Sequence, residues 1–241
     1  MLNLLALIFG GLKFGKVFLT VGSMLVSLGA YAWLYGWRYA AGFIALLFVH
    51  EMGHFIAARQ RGLDVGAPTF IPFLGAWIEL REHPHDAETE AYIGLAGPLV
   101  GTLGALACYF LARQLGPDAQ WLLAVAYAGF FLNLFNLIPV SPLDGGRVTA
   151  VLSPKLWLLR APVLLGLLLI KFNPLNLVLL LLIAPQFFQA WRYSRNPEHA
   201  AYYVASAETR LTYGTAYVGL VGFLCLMTHE VHLMLTPGAA V

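Results

Sequence analysis

The chain reads as a series of apolar runs, most of them long enough to cross a bilayer, separated by short stretches that hold most of the charge. A membrane-spanning helix needs about 20 mostly apolar residues. Seven segments meet or approach that length: 17–37, 38–59, 91–113, 119–138, 156–171, 175–191 and 212–235. The fifth is short and carries Arg160 and Pro162, and only Phe172, Asn173 and Pro174 part it from the sixth. Residues 64–82, DVGAPTFIPFLGAWIELRE, break the helical pattern. They set Gly66, Pro68, Pro72 and Gly75 among apolar and aromatic residues, which predicts two short extended runs about a turn. Open strands cannot face lipid, because their backbone groups would go unpaired. The stretch is therefore expected at the interface, against protein or beside a water-filled cavity. The predicted fold class is an all-α polytopic membrane protein of six or seven transmembrane helices, with a small membrane-associated β-hairpin near 64–82.

Composition sharpens this picture. Hydrophobic residues make up 60% of the 241 and charged residues 11%, with a mean hydropathy of +0.75. A soluble domain is about 25% charged, and so few charges would leave large apolar surfaces in water. If all seven runs span, only Arg38, Arg113 and Lys171 of the 14 Lys and Arg fall on one side. The other 11 fall on the N-terminal side, which the positive-inside rule places in the cytoplasm. No basic run suits nucleic acid. Cys108 and Cys225 lie inside apolar runs and read as small core residues rather than a disulfide or metal pair. The apolar stretch 2–9 precedes Lys13 and Lys16, the reverse of a secretory signal, so residues 2–12 are expected on or in the membrane. No repeat is evident, and the whole of 1–241 reads as one membrane-embedded domain.

The second run contains His50-Glu51-Met52-Gly53-His54. Residues four apart on a helix share a face, so both imidazoles can reach one ion. Zinc takes histidine nitrogens readily, and catalytic sites use three protein ligands plus water. The glutamate between the histidines can act as base toward that water. The pattern alone occurs by chance in on the order of one chain in a hundred of this size. Its setting carries more weight. Ionisable groups inside a transmembrane segment cost about 2.5–3.5 kcal/mol each on insertion scales. A divalent cation offsets that cost for three of them within five residues. Buried histidines bonded to neighbouring helices are the structural alternative, and that alternative leaves Glu51 unexplained.

A third ligand is required. The fourth run ends in Asn136-Leu137-Ile138-Pro139-Val140-Ser141-Pro142-Leu143-Asp144-Gly145-Gly146. The prolines disrupt helical bonding, and such a broken segment lets polar backbone line a cavity at membrane depth. Asp144 is the only acidic residue between Asp118 and Glu198. From local sequence it is either a ligand or an aspartate that starts a turn.

HExxH in one transmembrane helix, with Asn-x-x-Pro-x-x-x-x-Asp-Gly in a later one, resembles the site-2 protease family of intramembrane zinc metalloproteases. The resemblance runs from about residue 15 to 190. It takes in the helix order, the FIPFLGAWIEL stretch and the AGPLVG run at 96–101. It implies a catalytic core of about 15–192, with an extra C-terminal segment at 212–235; relatives often carry PDZ or CBS domains, and none is expected in this sequence. It implies one zinc held by His50, His54 and Asp144, with Glu51 as general base. Asn136 would help hold the oxyanion, or else bond another helix. The chain departs from the pattern at Gly101, where many relatives carry Asn. Relatives place a hairpin or sheet near 67–80. It would present a strand edge to unwound substrate or plug the cavity.

Weaker candidates are His83 and His85 in a loop, Glu88 and Glu90 before the third run, and His229, Glu230 and His232 near the outer end of the last. Solvated or interfacial positions account for them, and the AYAWLYGW and QAWRY aromatics suit interfacial belts. Three functions remain in view. The first is a zinc endopeptidase that cuts transmembrane or membrane-proximal segments of membrane proteins, sited nearer the cytoplasmic face of a bacterial inner membrane. The others are a non-catalytic relative that binds membrane proteins and an ion transporter. The intact ligand set counts against the second, and the single broken helix without repeats counts against the third.

Overall fold

The long apolar runs fold as helices, and one hairpin interrupts them. A computed structural model describes residues 2–73, 75–77, 82–153 and 201–236. The expected spans at 156–171 and 175–191, and the QAWRY aromatics, lie outside the described residues. Helix α1 (Leu2–Tyr35) and α2 (Trp37–Gln60) are joined by Gly36 alone, at a φ of 85° that glycine adopts without strain. They run antiparallel. Tyr35 meets Tyr39, and Tyr31 meets Phe43 edge-on with centroids 5.1 Å apart. Met24 and Leu28 pack with Ile44 and Leu47 further along. Helix α1 begins at Leu2, well before the expected boundary at 17, so the N-terminal apolar stretch and the first run are one continuous helix.

The predicted extended runs are present. Strand β1 (Thr69–Ile71) pairs antiparallel with β2 (Gly75–Trp77), Phe70 opposite Ala76. The turn between them includes Phe73 at φ 64°. Phe70 is buried among residues of α1 and α2, and its backbone N–H donates to Ser23 Oγ at 3.1 Å. That bond takes up one outward-facing group of β1, so the strand lies against protein, as a backbone at membrane depth must.

Helix α3 (Ala87–Leu115) starts four residues before its expected boundary. Asp86 caps it, its carboxylate accepting from the Thr89 N–H at 2.7 Å, and Glu88 and Glu90 occupy the first turn, where the helix dipole favours acids. Helix α4 (Gln120–Asn136) ends where expected, and a loop at 137–143 leads to a short helix not foreseen from sequence, α5 (Asp144–Leu152). Helix α6 (Ala207–Leu235) closes the molecule. Buried residues from α3, α4, α5 and α6, among them Ala105, Phe130, Val148 and Leu224, form one core cluster. Tyr202 donates its hydroxyl to Glu90 at 2.7 Å, tying the segment before α6 to the start of α3. Burial and that carboxylate together hold the Tyr202 phenol well above its usual range.

Among the described residues, α2, α3, α6 and the stretch Pro117–Asn136 are long and apolar enough to cross a membrane, and Leu19–Tyr35 is a shorter apolar helix. Trp33, Leu103 and Val218 point outward from these helices, as side chains do when the solvent is lipid. The chain is an integral membrane protein. Of the two cysteines, Cys108 is partly buried, but Cys225 is exposed on α6. The reading of both as core residues is therefore corrected for Cys225, since a helix solvated by lipid can carry an apolar thiol on its outer face.

Candidate metal centre

Helix α2 carries His50, Glu51 and His54, buried to 3%, 6% and 8% exposure, and α5 begins with Asp144 at 7%. Both histidines turn Nε2 toward the carboxylate. His50 Nε2 stands 3.3 Å from Asp144 Oδ2, His54 Nε2 stands 3.2 Å from the same oxygen, and the two nitrogens are 3.1 Å apart. Donors placed tetrahedrally at zinc's bond lengths of about 2.0–2.1 Å sit roughly 3.3–3.4 Å from one another, so this triangle matches three corners of such a site.

The far sides of the rings define the protons. His54 Nδ1 lies 2.8 Å from the carbonyl oxygen of Ile93, which can only accept, so Nδ1 carries the hydrogen. His50 Nδ1 lies 2.8 Å from Asn133 Oδ1, whose own Nδ2 donates to Gly129 O at 2.7 Å. That second bond directs the amide oxygen at His50, so His50 also donates from Nδ1. In the neutral rings, the form that binds metal, both Nε2 atoms are then lone pairs, facing each other and a carboxylate oxygen in a buried place. Three converging acceptors repel unless a cation lies between them, and a single divalent ion answers all three contacts at once. The donor set of two imidazoles and a carboxylate suits zinc. Among the described residues this is the one group of three metal-ligating side chains close enough to share an ion.

Small residues make the approach possible. A Cβ on Gly97 would fall 2.2 Å from His54 Nε2, and one on Gly53 would fall 2.5 Å from Ala96 O. Helices α2 and α3 thus pass nearly backbone to backbone at the metal-binding turn, as small residues allow between membrane helices. A Cβ on Gly145 would overlap Leu137 O, so α5 can tuck under the end of α4 and bring Asp144 across. Tyr217 of α6 donates its hydroxyl to that same Leu137 carbonyl at 2.5 Å, fastening the loop.

Glu51 is buried beside the triangle, close enough to interact electrostatically with His54, His50, Asp144 and Arg147. Arg147 Nη1 is 4.0 Å from Asp144 Oδ1, the carboxylate oxygen turned away from the histidines. Asn136 is the last residue of α4 and half-buried, one turn beyond Asn133. The sequence-predicted ligands are therefore brought together. His83 and His85 sit in the loop before α3, and His232 packs on Tyr127 with centroids 5.7 Å apart. Asn133 was not singled out from sequence. Its contact with His50 spans 83 positions, and no local spacing announces it.

Comparison with known proteins gives consistent matches. The family model described as Peptidase family M50 matches residues 38–117. Rip3 of Mycobacterium tuberculosis, described provisionally as a zinc metalloprotease, is 36% identical over 125 residues, which cover 48% of this chain and 31% of that protein. A zinc metalloprotease of Methanocaldococcus jannaschii is 29% identical over 157 residues, covering 59% and 45% of the two chains. The aligned part thus spans about a third to a half of these relatives. Among solved structures, a site-2 protease from the same archaeon aligns with a TM-score of 0.46 and 23% identity, over 72% of this chain and 87% of that one.

Proposed function

We propose that the chain is a membrane-embedded zinc endopeptidase of the kind that the Peptidase family M50 model describes, a model that matches residues 38–117. Its substrates would be transmembrane or membrane-proximal segments of other membrane proteins. The observation that carries the reading is the convergence of His50 Nε2, His54 Nε2 and Asp144 Oδ2 within 3.1–3.3 Å of one another, beside a buried Glu51 on the same helix as the histidines.

His50, His54 and Asp144 would hold one zinc. When bound there, the metal supplies a Lewis acid that acidifies water and polarises a peptide carbonyl. Glu51 takes a proton from the attacking water at a carboxylate oxygen and returns it to the leaving amine. Asn136, on the helix end nearest the Asp144 loop, donates an amide hydrogen to the developing oxyanion. Asp144 Oδ1 faces Arg147, which leaves Oδ2 toward the two histidines, where it would help hold the ion. Burial of all four acidic and imidazole groups keeps bulk water out, which strengthens each of these interactions.

The hairpin suits a role in substrate handling. Its β1 side is bonded to α1 through Ser23, so an unwound substrate would add at β2. His50 lies past the middle of α2. With the N-terminus cytoplasmic, as the distribution of Lys and Arg supports, the centre lies nearer the cytoplasmic face. A bacterial inner membrane is the proposed location.

Purified protein in lipid, offered a panel of model transmembrane substrates, tests the function. Cleavage that stops when a chelator strips the metal and returns with stoichiometric zinc supports it. Cleavage indifferent to zinc removal contradicts it.

A further inference from the structure

His50 and His54 are not supported alike. His54 gives its Nδ1 hydrogen to a backbone carbonyl of α3, which no substitution of a side chain removes. His50 gives its hydrogen to a side chain, that of Asn133 on α4, 99% buried. The amide cannot turn over without cost. Its Nδ2 is bonded to Gly129 O one turn back on its own helix, so a flip would set carbonyl against carbonyl and NH2 against the ring N–H. The amide therefore admits only the form of His50 in which Nδ1 carries the proton and Nε2 is free for metal. Asn133 also occupies space that belongs to α3. A Cβ on Gly101 would lie 2.3 Å from Asn133 Oδ1, 2.9 Å from its Nδ2 and 3.0 Å from its Cγ. A methyl group at 101 has no room unless the amide leaves the ring.

We propose that Asn133 is the positioning residue for His50, fixing its ring and its proton for metal binding, and that Gly101 is the socket that lets it do so. The assignment deepens the metal-centre reading and rests on it. It concerns α4 and α3, whereas the ligands lie on α2 and α5, so the histidine is held by helices that contribute no ligand.

The test is a cycle of full-length proteins in detergent or lipid: wild type, Asn133→Ala, Gly101→Ala, the double variant and Asn133→Asp. Zinc affinity is read by competition with a chromogenic chelator, and cobalt-substituted samples give the ligand-field spectrum. Loss of such an outer partner weakens metal binding about 10–100-fold. That loss is expected for Asn133→Ala and for Gly101→Ala alone, each with an altered cobalt spectrum. Asn133→Asp keeps an oxygen facing Nδ1 and, with its other oxygen protonated, can still donate to Gly129 O, so it should hold zinc more tightly than Asn133→Ala. In the double variant the alanine at 101 meets empty space, so its affinity should match Asn133→Ala within about twofold. Wild-type affinity in Asn133→Ala overturns the proposal. So does an equal further loss from Gly101→Ala in both backgrounds, which is the mark of a general packing defect. A wild type that binds no zinc at all overturns the metal-centre reading itself and is recognised before any variant is compared.

Discussion

His50 and His54 reach one point because four residues of helix return a side chain to the same face, and because neither ring keeps a hydrogen on the nitrogen it turns inward. Asp144 arrives from 90 positions further along and closes the triangle. Removing one corner leaves a site with two donors, so Asp144→Ala and His54→Ala are each expected to purify with far less than one zinc per chain, measured by atomic emission. Full zinc in either variant would show that the metal lies elsewhere. At this scale the histidine pair was legible because its spacing and the helical period coincide. Asp144 was legible only as one of two readings, since a turn-forming aspartate before two glycines has the same local pattern. Asn133 was hidden, because its meaning depends on which ring a distant helix places against it.

Helices α2 and α3 come together through glycines, and this closeness decides where the His54 ring can sit. Gly97→Ala would press a methyl group against the His54 ring. The expected cost is about 1–3 kcal/mol from overpacking, with weakened zinc binding, both read by thermal unfolding with and without metal. Docking of the hairpin gives a second expectation. Ser23→Ala leaves the Phe70 N–H without its partner, at a cost of about 1–3 kcal/mol. If the hairpin opens locally, amide exchange across 69–77 should quicken by at least about fivefold while α3 keeps its protection. Exchange unchanged at Phe70 would mean that Ser23 does not hold the strand. Apolar length marked the helices clearly, and the prolines and glycines marked the hairpin. Their ends were less clear. Helix α3 starts early because Asp86 caps it, a bond visible only once Thr89 N–H is in place. Helix α5 escaped notice because it opens on Asp-Gly-Gly, a sequence that reads as a turn and becomes helical only where Gly145 packs under Leu137.

Taken whole, the molecule is a set of membrane helices around a buried polar point, and two consequences are measurable at that level. Zinc that binds only the folded protein stabilises it by about 2.7 kcal/mol when present at a hundred times its dissociation constant. Chelation should therefore lower the thermal midpoint of unfolding, and added zinc should restore it. Orientation is tested with Glu82→Cys and Asp118→Cys in a chain whose Cys108 and Cys225 are serine. The loop before α3 and the one after it belong to opposite sides, so an impermeant maleimide on intact cells should label position 118 and reach position 82 only after permeabilisation. The reverse pattern would invert the topology.

As proposed, Glu51 moves a proton at a zinc site it does not help to build, and the decisive comparison is wild type against Glu51→Gln on a cleavable transmembrane substrate, with zinc measured in both. Cleavage by wild type alone, with one zinc per chain in each, is the expected result. Equal cleavage by both proteins, or loss of zinc from the glutamine variant, would contradict it.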